Sequence, residues 1–540
     1  LLNILHTVNS KSLMWMNLTA ALKNIGTGHI NIVSEATGGE FTTKATLLKA
    51  HEMYIKALPS LWASLGEYTC NNLDAALMKL AGNIFEDHIE AGVDTKTNIV
   101  SLGMSKWDNV MFAPNTIGEH YLQFATFLSA MQTHRIVAGT IMNYDQFVFS
   151  LRERLFRDMV DDETYTKYKA YKDKQESVKG NNVEFIDYLS RFIAYRANNF
   201  TNEWKSNYAK AYKEGLKNAR VEFEKNQVIY DAFELKDGIA SIKAESNITL
   251  EDFAKFLGKV KGVNHSLHGI YNTFDKSMLS GKMWGEVILQ FRKWLRPNFI
   301  RYWGKRVGKI VFDERLESYR SGAYMDMINF LLSNGKSAYR ETIDKAIEND
   351  EDIDFATKAK AIFNGFCGLL YWFKDINFRY NTLPQAQKAN IKRAMFNFTT
   401  LVGLSLVAAS LYAAKDDDDE LDENRFFALA CYTIYGVQTE LYETSPWGLY
   451  SFYKRTMEAP IPFETSMSNV LNLAYWTLIA PMIVDDEEML YDRGTYKDED
   501  KRWIAFKKTI PLFNQYNKMF YLPKNNTYYM QQNPILQMIV

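Results

Sequence analysis

Cysteine is almost missing from this chain: 540 residues hold only Cys70, Cys367 and Cys431. Spaced so widely, they form neither a metal-binding motif nor a disulfide framework, and they suit a reducing or indifferent environment. Glycine and proline are sparse too, at 28 and 11 residues, below ordinary usage. That speaks against turn-rich β architectures and leaves long stretches of helix formers unbroken. Net charge is also absent, with 63 Lys and Arg against 64 Asp and Glu. No overall positive field exists to gather polyanions, which disfavours a protein that coats nucleic acid along its whole surface. The chain shows no initiator Met, and Leu1–Asn9 lacks the basic region and the length of a signal peptide. A product processed from a longer chain is the expectation.

Catalytic signatures are missing as well. There is no GxSxG, no HExxH and no cysteine in a nucleophile context. Gly26-Thr-Gly28 has no third glycine of a dinucleotide fingerprint, and Phe330 stands where a phosphate loop ending in Gly335-Lys-Ser337 would need its first glycine. His265 and His268 share a helical spacing without a cysteine or close carboxylate to complete a metal site. Glu86-Asp87-His88 with Glu90 is equally weak. Asp350-Glu-Asp-Ile-Asp354 has a DxDxD spacing but reads as an acidic turn, with Asp354 capping a helix over Phe355–Phe366. Asp416–Glu423 is too crowded with carboxylates for one ion and reads as an exposed loop. No enzyme, no metal and no cofactor is expected.

What is present is helical periodicity and a high aromatic content of 14%. Such chains either pack large cores or expose surface for partners. Apolar residues at a 3.6 period mark helices over Leu13–Asn24, Thr43–Leu58, Leu73–Glu90, His120–Thr133, Tyr144–Val160, Val183–Asn198 and Asn202–Gln227. Thr249-Leu-Glu-Asp252 is a capping box for a helix ending near Gly258 or Gly262. Gly38-Gly39 and Ala113-Pro114-Asn115 read as joints and Lys172–Asn182 as a polar linker. No alternating strand pattern stands out. The expected fold is all-α, an elongated multi-helix assembly with a kinked basic and aromatic helix and uncharged C-terminal helices. Its regions are 1–115, 116–262, 263–383 with the basic and aromatic tract, and 384–540 with the uncharged helices.

The tract from Leu267 to Lys309 concentrates what the bulk composition dilutes. No acidic residue lies between Glu286 and Asp313. Arg292, Lys293, Arg296, Arg301, Lys305, Arg306 and Lys309 interleave there with Phe291, Trp294, Phe299, Tyr302 and Trp303. On a helical wheel the apolar face shifts phase across Pro297, so a kink or break is expected at Arg296–Pro297. The candidate partner or nucleic-acid contacts are Arg292, Lys293, Trp294, Arg296, Arg301, Trp303, Lys305 and Arg306. Two readings stand side by side: the cations pair with acidic neighbours elsewhere in the fold, or they meet nucleic-acid phosphates or an acidic protein.

The C-terminal third holds a second unusual feature. Ala394–Ala414 carries no charge, Thr465–Val484 carries none, and the shorter Phe426–Thr439 lies between them. Crossing a bilayer takes about 20 apolar residues, yet a buried core helix explains the same pattern. Thr399, Gly403 and Ser410 share a stripe of small residues suited to close helix approach. Phe396, Leu401, Leu404, Val407, Leu411 and Trp476 are the candidate membrane-interacting residues.

Two segments taken together resemble a known family. One is LHGIYNTFDK (267–276) followed by QFRKWLRPNFIRYWGKR (290–306). The other is RGTYKDEDKRWIAFKKTIPLFNQYNKMF (493–520), where a Gly-Thr-Tyr turn leads to a helix and a Lys-x-Ile-Pro element. They are similar to segments of the large virion cargo proteins of crAss-like gut bacteriophages, short-tailed double-stranded DNA phages. The resemblance implies a polyprotein-derived chain, present in several copies in the portal and tail lumen. It further implies ejection with the genome into the host envelope or cytoplasm, with phage portal and tail proteins, DNA and the host membrane as partners. The family's polymerase is a separate large protein, and Ile353 stands where a polymerase loop would want glycine. The alternatives are an integral membrane protein with a C-terminal helical anchor, a structural tail plug that is not ejected, and a nucleic-acid-processing enzyme built on Asp350–Asp354.

Overall fold

The computed structural model describes residues 18–63, 69–85, 105–179, 201–268, 295–304, 311–313, 318–332, 339, 342, 358, 360–364, 376–383, 385–416, 425–448, 463–484, 486–493 and 496–509. Of these, 78% are helical, with only small antiparallel sheets between the helices. The all-α class expected from the periodicity is the one found.

The first bundle forms around a helix that has no polar side to spare. α1 (Leu18–Gly38), α2 (Lys44–Ala63) and α3 (Leu73–Phe85) surround α4 (Ser105–Thr133). From Leu122 to Gln132 every side chain of α4 is buried, in keeping with a stretch that contains no charged residue. Its polar groups are met from α2: Thr46 Oγ1 lies 3.0 Å from Ser129 Oγ and 2.8 Å from Thr133 Oγ1, and Lys49 Nζ donates to Gln132 Oε1 at 2.8 Å. α2 answers with Ala50, Met53, Tyr54 and Ala57 at helical spacing, all buried. Between α1 and α2 the chain reverses at Gly38-Gly39. Gly39 adopts φ +79, and its N–H closes on the Glu35 carbonyl at 3.2 Å.

Two short β-hairpins brace this bundle. β1 (Arg135–Val137) pairs antiparallel with β2 (Thr140–Met142) and with β3 (Gln227–Val228). β4 (Phe233–Lys236) pairs antiparallel with β5 (Ile239–Ile242). Both two-residue turns, Ala138-Gly139 and Asp237-Gly238, have positive φ at each position, the conformation whose twist suits a tight hairpin. α8 (Leu250–His268) then packs Phe253, Phe256, Val260, Val263 and Leu267 into the same core. Between β2 and β3 the chain makes an aromatic outwork from α5 (Tyr144–Met159), α6 (Asp162–Lys179) and α7 (Asn202–Glu224). There Phe156, Tyr168 and Tyr208 form their own small core, and Trp204 stacks on Tyr208 at 5.1 Å.

Several expectations change in detail. Helix α4 runs unbroken through Pro114, so the joint at Ala113-Pro114-Asn115 and the regional boundary at 115/116 fall inside a helix. The cap at Thr249 forms as expected, with Thr249 N donating to Asp252 Oδ2 at 2.9 Å. Its helix continues past Gly258 and Gly262 to His268, because the core supplied by Val260, Val263 and Leu267 outweighs the roughly 1 kcal/mol cost of each glycine. Residues 172–179 of the supposed linker continue α6. The hairpins depart from the expectation of no strands, although Asp237-Gly238 is a strong hairpin dipeptide. Val183–Asn198, Glu86–Glu90 and Asp350–Asp354 lie outside the described residues.

The bundle also concentrates histidine. His29 stacks on His51 with ring centroids 5.2 Å apart, His51 Nδ1 lies 2.9 Å from Tyr121 Oη, and His120 Nδ1 lies 2.9 Å from Tyr54 Oη. His134 is wedged between Phe41 and Phe256. Burial holds all four imidazoles below their ordinary value of 6.5, His120 at about 4 and His134 at about 3, and His29 adds to the effect on His51. A folded value below the unfolded one favours the neutral ring in the fold. The stabilisation is therefore whole above about pH 6.5 and drains away as the pH falls toward the folded values. Glu119, pushed up to about 7 by burial, works in the opposite direction and loses its contribution as the pH rises through that value. Burial raises the Asp74 carboxyl as well, but four imidazoles outweigh two carboxyls, so the urea midpoint should fall as the pH is taken from about 7 to about 5. His134→Gln, which cannot titrate, should show a shallower pH dependence of that midpoint.

Candidate functional site

The basic and aromatic tract enters the described structure at α9 (Leu295–Trp303). Pro297 sits in its first turn, where a missing N–H and a fixed φ are tolerated; α9 runs through Arg296–Pro297, and the residues before Leu295 lie outside the described ones. Arg301 points inward. Its Nη1 donates to Asn31 Oδ1 at 3.3 Å and its Nη2 to the Asn31 carbonyl at 3.2 Å, while Glu35 Oε2 lies 3.9 Å away. Trp303 is 1% exposed, and its indole N–H donates to the Thr444 carbonyl at 2.9 Å. Its ring lies beside Tyr324, which also packs on Tyr302. Burial, the largest cause, and the neighbouring Tyr302 push the Tyr324 phenol well above its usual value.

Arg301 and Trp303 are thus interior residues, not outward contacts for a partner. α1 covers the side of α9 that carries Arg301 and supplies the counter-charge. Arg301 follows the reading in which the cations pair with acidic neighbours elsewhere in the fold. Of Arg296 the backbone alone is described, and Arg292, Lys293, Trp294, Lys305 and Arg306 lie outside the described residues.

Beyond α9, β6 (Val311–Asp313) and β7 (Ser318–Arg320) form a hairpin leading to α10 (Ala323–Leu331). A Cβ on Gly322 would stand 2.3 to 2.5 Å from backbone atoms of Tyr302 and Trp303, so only glycine lets the two chains cross there. α11 (Ile376–Thr382) precedes α12 (Gln385–Asp416), which lies on α1, on α10 and on α13 (Arg425–Thr444). From α12, Arg393 reaches into the junction. Its Nη2 donates to Glu35 Oε1 at 2.8 Å and to Glu40 Oε2, and its Nη1 donates to Asn390 Oδ1 at 2.8 Å. Asn390 in turn donates to Asp326 Oδ2 at 2.7 Å and to the Ser321 carbonyl at 3.0 Å.

The side chains of Glu35, Glu40, Arg301 and Arg393 are buried, an ionic cluster joining α1, α9 and α12. Removing such charges from water costs several kcal/mol per ion, which the mutual attraction and the surrounding amides offset. A signal for it was present. Glu35 and Glu40 are isolated carboxylates with no Lys or Arg between Lys23 and Lys44, so their partners had to come from distant sequence. Each carboxylate of the cluster faces a guanidinium, an arrangement suited to holding helices together and ill suited to acid or base chemistry. Among the described residues no group of three His, Cys, Asp or Glu could hold a metal ion. Lys388, at the start of α12, donates to the Asn381 carbonyl at 2.8 Å beneath the Tyr212 ring, and burial lowers its ammonium to about 8.

The outward side of α12 has the reverse polarity. Arg393, Asn397 and Ser405 face inward, with Ser405 Oγ accepting from Gln438 of α13 at 2.6 Å. Met395, Phe398, Val402, Leu406 and Val407 face outward, Leu406 at 62% exposure. Phe398 lies beside the exposed Trp447, with ring centroids 5.5 Å apart. Of the candidate membrane residues, Leu401 is buried against Val437 and Leu441, and Leu404 packs partly against the same cluster. Phe396 is half-buried with Lys44 Nζ 6.0 Å above its ring, Val407 is exposed, and Leu411 is described in its backbone alone. Thr399 and Ser410 of the small-residue stripe are exposed, and each donates to a carbonyl of its own helix.

The same inversion recurs in α14 (Phe463–Ala474), which continues through a π turn (Tyr475–Ile479) and a 3-10 turn (Ala480–Met482). Asn469 and Ala480 are turned inward, while Leu471, Tyr475, Leu478, Ile479, Met482 and Ile483 are exposed. Trp476 is half-buried. Burying a large aliphatic side chain gains about 1.5–3 kcal/mol, so each such row is a standing driving force for association. Among the described residues no helix is long and apolar enough to cross a membrane.

No protein-family model, no curated protein and no solved structure matches the chain.

Removing one charge from the cluster should leave its partners buried and uncompensated. Arg393→Ala is expected to destabilise the fold by about 3–5 kcal/mol in chemical denaturation. Gly322→Ala should cost about 1–3 kcal/mol by forcing α10 away from α9.

Proposed function

We propose that this chain is a helical passenger of a phage particle, packaged in the portal and tail lumen and ejected with the genome into the host cell, with no reaction of its own to perform. The observation that carries the reading is the likeness of 267–306 and 493–520 to the virion cargo proteins of crAss-like phages. The distribution of polarity supports it. Charges and amides are drawn into the joints between helices, while apolar rows on α12 and α14 face outward and need a covering surface. A lumen wall provides that surface in the particle and a host envelope provides it after release.

The division into several small cores suits the same role. The bundle around α4, the aromatic outwork of Phe156, Tyr168 and Tyr208, and the cluster of Tyr302, Trp303 and Tyr324 have separate apolar centres. Units of this kind open sub-globally at lower cost than one undivided core, an advantage for a chain that passes through a narrow channel. The cations of the tract other than Arg301 are the proposed contacts to DNA or to an acidic lumen wall.

The test is to follow the polypeptide through infection. Mass spectrometry should find it in purified full particles in several copies, missing from emptied particles on the cell surface, and present in fractions of the infected host. A tail plug would stay with the emptied particles. An integral membrane protein of the infected cell would not be found in full particles at all.

A further inference from the structure

We propose that His29, His51 and His120, with Tyr54 and Tyr121, form an acid-sensitive latch that holds the C-terminal half of α2 against α1 and α4 at neutral pH and releases it as the imidazoles take up protons. The two halves of α2 are joined to the bundle by different chemistry. The N-terminal half is held by groups that do not titrate near neutrality, Thr46 on Ser129 and Thr133 and Lys49 on Gln132. From His51 onward a layer of rings takes over. His29 stacks on His51 at 5.2 Å, His51 Nδ1 lies 2.9 Å from Tyr121 Oη, and Tyr54 Oη lies 2.9 Å from His120 Nδ1. Tyr54 closes the layer edge-on to Tyr121 at 5.3 Å. The three imidazoles are half-buried, so protons reach them. The same half of α2 contains Pro59, which removes one rung of its backbone ladder.

An imidazolium can still donate to a phenol oxygen, so the hydrogen bonds survive protonation. The uncompensated charge is what opens the layer. Burial holds the phenols of Tyr54 and Tyr121 above their usual value, and they stay neutral in acid. Glu119 of α4, pushed up to about 7 by burial, loses its charge in the range where the imidazoles gain theirs. On α2, Glu52 is exposed and paired with Lys56 at 2.6 Å, and Lys49 adds a further cation. Asp74 of α3 accepts from Tyr230 at 2.8 Å, and the same helix carries Lys79. His265 and His268 of α8 add only cations on protonation. On α1, Lys23 pairs with Glu440 of α13, and Glu35 is engaged by Arg393 and Arg301. Those two bonds keep α1 in place, which leaves α2 as the element that yields. Burial already lowers all three imidazoles, and His29 adds to the effect on His51. A released ring returns to its ordinary value of 6.5. The latch is therefore whole above about pH 6.5 and weakens as the pH falls toward the folded values.

The latch is a property of the purified chain, so it can fail while the passenger reading stands, and the reverse. The test is hydrogen exchange read by mass spectrometry on the full-length chain at about pH 7 and about pH 5.5, each corrected for intrinsic exchange. Amides of 51–63 should lose protection by about tenfold for each ring that is neutral in the fold and protonated on release. Amides of 122–132 in α4 should keep theirs. The double variant His29→Phe/His51→Phe keeps the stacked rings and cannot titrate there, so its loss should shrink to the share of His120. Should circular dichroism show that variant unfolded, His29→Gln takes its place and should remove the share of one ring. Equal protection of 51–63 at the two pH values overturns the proposal. So does a loss shared equally by 122–132, which is global unfolding, and so does a variant that responds to acid as wild type does.

Discussion

The guanidinium of Arg393, buried between Glu35 and Glu40, is the constraint on which the arrangement of the other helices rests. It joins groups more than 350 positions apart in the chain. Arg301 approaches Glu35 from a third element, so two cations and two carboxylates neutralise one another where water cannot. None of the four is tolerable alone at that depth, which makes the junction all or none. α1 is thereby committed to α9 and α12 as well as to its own bundle, and the aromatic packing of Tyr302, Trp303 and Tyr324 forms over the same joint.

Sequestering charge at the joints has a consequence on the outside. α12 turns Arg393, Asn397 and Ser405 inward and presents Met395, Phe398, Val402, Leu406 and Val407 to solvent beside Thr399 and Ser410. α14 does the same beside a helix that is wholly cationic in its charges. In a soluble body that gains nothing from contact, evolution has no evident reason to place side chains this way round. The passenger role takes this inversion as its starting point.

Local chemistry was legible from residues. Tyr144–Met159 and Asn202–Glu224 stand nearly where the apolar period put them. The caps at Thr249 and Asn143 are formed by side chains within three positions of the ends they close. Asp237-Gly238 is equally legible as a turn, but each strand of its hairpin is only four residues long and alternates weakly. Pro114 misled in the other direction. A proline costs a helix one hydrogen bond, yet α4 continues through it into the most deeply buried stretch of the bundle. For the candidate site, Arg301 and Trp303, expected as partner or nucleic-acid contacts, lie inside the fold, because the side to which they face is set by α1 and α10.

What the sequence by itself determined is the helical class, the caps and turns, and the places where charge is concentrated or withheld, since these depend on neighbours a few residues away. Only the tertiary structure decided that Arg301 and Arg393 are interior and that the uncharged helices turn their apolar sides outward. The reason is physical: a side chain's environment is set by whichever distant element lies against it, and here Glu35 and Glu40, from the first helix and the turn that follows it, supply counter-charges that hold those guanidinium groups out of water.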